Sequence, residues 1–275
     1  MPGTVYLQEQ IKHFVEELAS STDQARSSPE LLDYLAFAAR FHHYSMHNTI
    51  LIFLQRPSAT HVAGFHTWKS VGRYVRKGEK GIAILAPIVV RISKQNLEDT
   101  ERRVVGFRTV YVFDVTQTEG EDLPAVPVLS GTDCESNLTS ALLVFASEQR
   151  IAVVTEALPS STYGLSQGGR VVVDEKLTGA DHFAVLVHEI AHELLDHHDQ
   201  RKEVKRKQRE IEAEAVAHVV CCHFHIPSTA ANYLALNGAD SAEVMSRLDN
   251  IVRTIQSIIS GIESHLSSNS QVVNA

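Results

Sequence analysis

Two rhythms of apolar residues run through the chain, and the change from one to the other divides it. Leu7, Ile11, Phe14, Val15 and Leu18 recur every three or four positions over 5–19, which predicts an amphipathic helix. The polar stretch SSTDQARSS (20–28) reads as a loop. Ser28 and Pro29 then supply an N-cap and a first-turn proline for a second helix over 29–43. A third helix, 45–55, contains the run TILIFL and is expected to be buried. It stops at Arg56 because Pro57 disfavours helical backbone in the residue before it.

From 61 to 118 helical spacing gives way to β-branched runs, KGIAILAPIVVRIS and RRVVGFRTVYVFDV, punctuated by Gly78, Gly81 and Pro87. The segment 118–133, TEGEDLPAVPVLSGTD, carries two prolines and four acids and reads as a linker. Beyond it the pattern predicts a helix over 135–149, a strand at IAVVTEA, and a hairpin in STYGLSQGGRVVVDEK turning at Gly168–Gly169. Helices are expected over 180–197 and 203–224, two more within 228–265, and a disordered tail over 267–275. The fold class is α+β in two domains. A helical plus β-sheet domain spans 1–120 and a second domain spans 133–268.

Composition narrows the setting. Three cysteines, two of them adjacent (Cys221, Cys222), make no disulfide framework and fit a reducing cytoplasm. The N-terminus lacks the features of a signal peptide, and no apolar run is long enough to span a membrane. The net charge of −8 hides an asymmetry. Residues 1–118 hold 14 Lys and Arg against 11 Asp and Glu, and the remainder 11 against 22. A mildly basic half joined to an acidic one points to two domains with different partners.

The acidic half carries the sharpest chemical signal, HEIAH at 188–192. On a helix, His188 and His192 project from one face a turn apart and can offer nitrogens to one ion. Glu189 lies about 100° round, placed to take a proton from water without binding the ion itself. Zn²⁺ is the expected cofactor and Glu189 the expected catalytic base. A third ligand is sought in REIEAEAVAHVVC (209–221), where Glu210, Glu212 and Glu214 are candidates. Glu210 and Glu214 share a face and Glu212 points away. One acid can bind the ion while the other orients a histidine, so Glu210 is assigned to the metal and Glu214 to orienting. His197 and His198 are read as complementing the helix dipole, and Cys221 and Cys222 as buried small residues.

The basic half contains GFHTWKSVGRYVRKGEKG (64–81). There Phe65, Trp68 and Tyr74 alternate with Lys69, Arg73, Arg76, Lys77 and Lys80. Rings can stack on unpaired bases while cations follow phosphates, so single-stranded DNA is a candidate partner.

With these residues in view, the N-terminal half resembles the N-terminal domain of ArdC-type antirestriction proteins. The match lies in YSMHNTILIFLQRPSATHVAGFHTWKSVGRYVRKGEKGIAILAP (44–87) and VFDVTQTEGEDLP (112–124). The C-terminal half is similar to the zinc peptidases attached to such domains and, more loosely, to the ImmA/IrrE group, with HEIAH and EIEAE (210–214) matching their ligand pattern. The resemblance implies a single-stranded-DNA-binding domain fused to a zincin-like metallopeptidase domain acting on an unidentified protein or peptide. It also implies an antirestriction role on a mobile element, and it adds Tyr44 and Asn48 to the DNA-binding residues. The chain departs from the pattern at Met46 and His47, where the family has an aromatic residue and an arginine. Two other readings compete: a strand-coating antirestriction protein with a structural zinc site, and an ImmA-like regulator that cleaves a repressor.

Overall fold

A computed structural model describes residues 2–24, 29–41, 43–93, 100–123, 132–160, 162–196, 206–227 and 241–272. Its folded parts group into two compact units, Met1–Glu16 with Tyr44–Ala125, and Glu17–His43 with Val126–Ala275. The architecture is mixed α+β. Several expectations lie outside the described residues: the Ser28 cap, residues 124–131 of the linker, His197 and His198, the start of the helix expected over 203–224, residues 228–240 of the segment expected to hold two helices, and the last three residues.

In the first unit, helix α3 (Met46–Gln55) opens at Ser45, whose Oγ accepts from the Asn48 amide at 3.4 Å. It ends where expected, with Arg56 outside the helical region (φ −154°, ψ 79°) before Pro57. Met46, Ile50, Leu51 and Ile52 are buried, and α3 packs on β3 (Ile82–Ser93). Strand β3 forms a long antiparallel ribbon with β4 (Thr100–Asp114), whose register shifts between Ile88 and Val89; β1 (Val62–Gly64) pairs on the other side of β4. The outer edge of β3 is closed by side chains. Asn48 bonds both the N–H and the C=O of Leu85 at 2.9 Å, and Gln55 does the same for Ala83 at 2.9 and 2.8 Å. Pro87, the next residue turned the same way, has no N–H to offer.

A short helix that the β-branched pattern did not suggest, α4 (Phe65–Ser70), packs beside β2 (Arg73–Val75). Strand β2 pairs antiparallel with β5 (Thr118–Gly120), so the first residues of the expected linker are a strand. A 3-10 turn, Val115–Gln117, leads into β5. It is fixed by Asp114, a fully buried carboxylate that accepts from the amides of Thr60 (2.9 Å), His61 (3.3 Å) and Thr116 (3.0 Å) and from the Thr116 hydroxyl.

Helix α1 runs Thr4–Gln24, five residues beyond the expected 5–19, because nothing in Ser20–Gln24 breaks a helix. The first unit takes it to Glu16 and the second from Glu17. Helix α2 (Pro29–Arg40) also belongs to the second unit, so the two units do not coincide with domains drawn at 1–120 and 133–268. The reason is packing: α2 buries Leu31, Tyr34, Leu35 and Phe37, and its neighbours are α7 (Arg206–His223) and α8 (Ser241–Val272).

The rest of the second unit follows the expected order. Helix α5 (Thr132–Glu148) is followed by β6 (Ala152–Glu156), then by the hairpin of β7 (Gly164–Ser166) and β8 (Arg170–Asp174). The hairpin turns at Gly168 and Gly169, both at positive φ (77° and 84°), as a two-residue primed turn requires. The sheet order is β6-β8-β7, with β6 parallel to β8 and β7 at the edge. Helix α6 (Gly179–Leu194) lies against β7 and β8 and packs on α7. Helix α8 is continuous to Val272, which corrects the disordered tail expected from 267. Leu248, Ile251, Ile255, Ile258 and Ile262 keep a helical period across it, and all are buried. Among the described residues no helix is long and apolar enough to cross a membrane.

Candidate metal centre and basic surface

Helices α6 and α7 bring three donor atoms together. His188 Nε2 and His192 Nε2 are 3.1 Å apart, and Glu210 Oε2 stands 3.7 Å from the first and 3.6 Å from the second. Donors bound at about 2.1 Å to one tetrahedral ion would be separated by about 3.4 Å, so the triangle has the size such an ion needs. These three residues form the one cluster of potential metal ligands among the described residues. Sequence reasoning named all three. Glu214 sits one turn beyond Glu210, with Oε2 3.1 Å from His188 Nδ1, the ring nitrogen that does not face the cluster. Glu212 points elsewhere, pairing at 2.5 Å with Arg247 of α8, both buried.

The local electrostatics favour a cation. Burial opposes protonation of His188, but the carboxylates of Glu210 and Glu214 outweigh it and push its pKa up to about 9. Two histidines and one carboxylate suit zinc and other divalent transition metals. Glu210 is 54% exposed on its side chain, so the cluster opens to solvent on one side.

Glu189 is buried next to the ligands, and its pKa is pushed up to about 7 by burial, which outweighs the opposing pull of His188, with Glu210 and Glu193 adding to the rise. It rests against the edge strand. A Cβ added to Gly164 would lie 2.7 Å from Glu189 Oε1, 2.6 Å from its Cγ and 2.8 Å from Val185 Cγ1. Only a glycine lets β7 pass this close to α6.

Sequence reasoning missed Glu193. It follows the second histidine, is buried, and caps the β7–β8 turn. Its Oε1 accepts from Ser166 Oγ (2.7 Å), Gln167 N (3.0 Å) and Gly168 N (2.9 Å), and its Oε2 from Gly169 N (2.6 Å). The available signal was an acid on a helix face otherwise given to core residues. Cys222 also departs from expectation, for it is exposed while Cys221 is buried.

In the first unit the sequence-nominated residues separate. Trp68 is 4% exposed, and its Nε1 donates to the Phe113 carbonyl at 2.8 Å. The indole is a core residue and not a stacking surface, because α4 turns it inward. Asn48 bonds to Leu85, and the Tyr44 hydroxyl donates to the Val62 carbonyl at 3.0 Å. Arg73 ties β2 to β5 through Thr118 Oγ1 (2.8 Å) and the Glu121 carbonyl. Arg76 pairs with Glu79 at 2.9 Å and reaches the Thr116 carbonyl at 2.6 Å. Lys69, Lys77 and Lys80 are exposed, as are two rings of the same stretch, Phe65 at 49% and Tyr74 at 53%. Of the three rings in this stretch, Phe65 and Tyr74 are exposed and Trp68 is not.

Residues 6–113 match the family model described as the N-terminal domain of anti-restriction factor ArdC. An uncharacterized protein of Bacillus anthracis is 25% identical over 309 aligned positions, covering 95% of this chain and 52% of that protein, so the chain spans about half the length of this relative. Two crystal structures of the antirestriction protein ArdC from plasmid R388 are similar. The metal-free form is 14% identical with a TM-score of 0.44, covering 82% of this chain and 86% of that one. The manganese(II)-bound form is 16% identical with a TM-score of 0.41, covering 86% and 97%.

Proposed function

We propose that the chain is an ArdC-like antirestriction protein that grips single-stranded DNA through its first unit and hydrolyses peptide bonds at a divalent-metal centre in its second. The observation that carries the hydrolase is the triangle of His188, His192 and Glu210 with a buried carboxylate, Glu189, next to it. Together they form a zincin-like ligand set, with Zn²⁺ the expected ion. When bound, such an ion polarises a carbonyl and makes water a nucleophile at neutral pH. Glu214 fixes the ring orientation of His188 through Nδ1. Glu189, with a pKa near neutrality, takes a proton from the attacking water and returns it to the departing amine. The Gly164 backbone packs close against Glu189 and limits where it can stand.

The DNA reading rests on the match over residues 6–113 and on the exposed Lys69, Lys77, Lys80, Phe65 and Tyr74. A strand coated by the first unit presents no duplex for a restriction enzyme to cut, so binding alone accounts for antirestriction. This keeps a non-catalytic reading in competition.

One experiment separates them. The full chain is titrated with Zn²⁺ and, because the R388 protein has been crystallised with Mn(II), with Mn²⁺. Glu189→Gln is then compared with wild type for metal content, single-strand binding and protection of incoming DNA. The hydrolase reading expects unchanged metal and strand binding with loss of proteolysis. If no ion binds stoichiometrically, the hydrolase is wrong; if Glu189→Gln protects DNA as well as wild type, protection is a coating effect.

A further inference from the structure

The residue after the second histidine ligand has no part in holding an ion, yet it is among the most heavily hydrogen-bonded side chains of the second unit. Glu193 receives four donors, three of them backbone amides of the β7–β8 turn. The amides of Gly168 and Gly169 point out of that tight turn. The turn is exposed and Glu193 is buried, so these bonds to a charged acceptor tether the turn to the helix. Strand β7 itself is short, at the edge of its sheet, and joined to β8 by only three residue pairs. Its place against α6 therefore depends on this carboxylate. The strand in turn bears on Glu189, since Gly164 leaves no room between them.

We infer that Glu193 is a positioning residue for the metal-centred chemistry: by clasping the Ser166–Gly169 turn to α6 it presses β7 against Glu189 and fixes that carboxylate beside the ion. One helix thus supplies the two histidine ligands at 188 and 192, the base at 189 and the clasp at 193. The inference rests on the metallopeptidase reading above. It separates two acids that sequence alone leaves alike, one acting on a proton and the other on a strand.

The test needs no natural substrate. Acetohydroxamate chelates an active-site ion and donates its N–OH to a carboxylate beside it, so its affinity reports where Glu189 stands. The full chain is loaded with one equivalent of Zn²⁺, and zinc affinity and acetohydroxamate affinity are measured separately. Glu193→Ala is expected to leave zinc affinity unchanged and to weaken acetohydroxamate about tenfold, the loss of one hydrogen bond to a charged acceptor. Amides of the 164–169 hairpin should exchange faster in the same variant. In a Glu189→Gln background the added effect of Glu193→Ala on acetohydroxamate should vanish, because the second change acts only through the first residue. If Glu193→Ala does not fold, Glu193→Gln, which keeps the side chain's size but removes the charged acceptor from the turn amides, decides the matter by the same measurements. Unchanged acetohydroxamate affinity in folded, zinc-loaded variants, or an equal loss with and without Glu189, overturns the clasp. A wild-type chain that takes up no zinc overturns the metallopeptidase reading beneath it instead.

Discussion

Glu214 Oε2 lies 3.1 Å from Nδ1 of His188, while Nε2 of the same ring faces His192 and Glu210. One imidazole is thus held on its outer side and presented to the cluster on its inner side. The carboxylates that would orient it toward a cation also bind a proton there, and its pKa rises to about 9. Ion and proton compete for one nitrogen.

Metal affinity should therefore depend on pH. Below about pH 9 an incoming ion displaces a proton from His188, so apparent zinc affinity is expected to rise about tenfold per pH unit and to level off above that point. Isothermal titration in buffers of different ionisation enthalpy would count the proton released. Glu214→Gln removes one of the carboxylates that raise the His188 pKa and should move the levelling-off to lower pH; a levelling-off at the wild-type pH in that variant would show that Glu214 does not act on the ring.

The two kinds of aromatic residue in the basic stretch should behave oppositely. Phe65→Ala with Tyr74→Ala is expected to leave the melting temperature near wild type and to weaken single-strand binding by about tenfold or more, at about 1–3 kcal/mol for each stacked base. Trp68→Ala should destabilise the first unit by about 3–5 kcal/mol, since it empties a buried site and orphans the Phe113 carbonyl. Filter binding and thermal melting, run on the same samples, check both. Strand binding that survives the Phe65–Tyr74 double variant would exclude those rings as the stacking surface.

Asp114 ties the first unit to pH in the opposite sense from His188. Burial raises its pKa, but the hydroxyl and amide donors of Thr116, Thr60 and His61 outweigh burial and hold it below the usual carboxylate value. A depressed folded-state pKa gives stability that is present above the unfolded value of about 3.9 and is lost as pH falls through the folded value. The wild-type melting temperature should drop with acid in that range. Asp114→Asn should be less stable at pH 7 by about 1–3 kcal/mol and less sensitive to acid, as melts between pH 2.5 and 7 would record.

A close helix contact gives a test of the second unit. A Cβ on Gly261 of α8 would stand 2.2 Å from Cδ2 of Phe145 on α5. Gly261→Ala gains helix propensity yet must push the ring aside, and a net loss of about 1–3 kcal/mol is expected by denaturant unfolding. A stabilised variant would mean that the ring has room to move.

Much of the centre was legible because its chemistry sits on helical periods. The i, i+4 spacing of His188 and His192, and again of Glu210 and Glu214, places each pair on one face whatever the tertiary structure, and the apolar residues between them say which face is buried. The basic stretch was legible in composition and not in direction. Six residues of short helix, α4, rotate Trp68 inward and leave Phe65 exposed, and alternation of charge and ring cannot reveal that rotation. Glu193 escaped because its partners are one hydroxyl and three backbone amides of a turn 24 to 27 residues earlier. No side-chain pattern records an amide that needs an acceptor. The grouping of α2 with α7 and α8 likewise depends on contacts between residues far apart in sequence.

Asn48 and Gln55, two helical turns apart on α3, occupy the places where a further strand would add to β3, and Pro87 removes the next opportunity. Up to that proline the border of the sheet is sealed from within by the chain's own amides. Neither a stray polypeptide nor a twin molecule finds a template along it, and this border is shielded from the edge-to-edge accretion that threatens exposed β-structure.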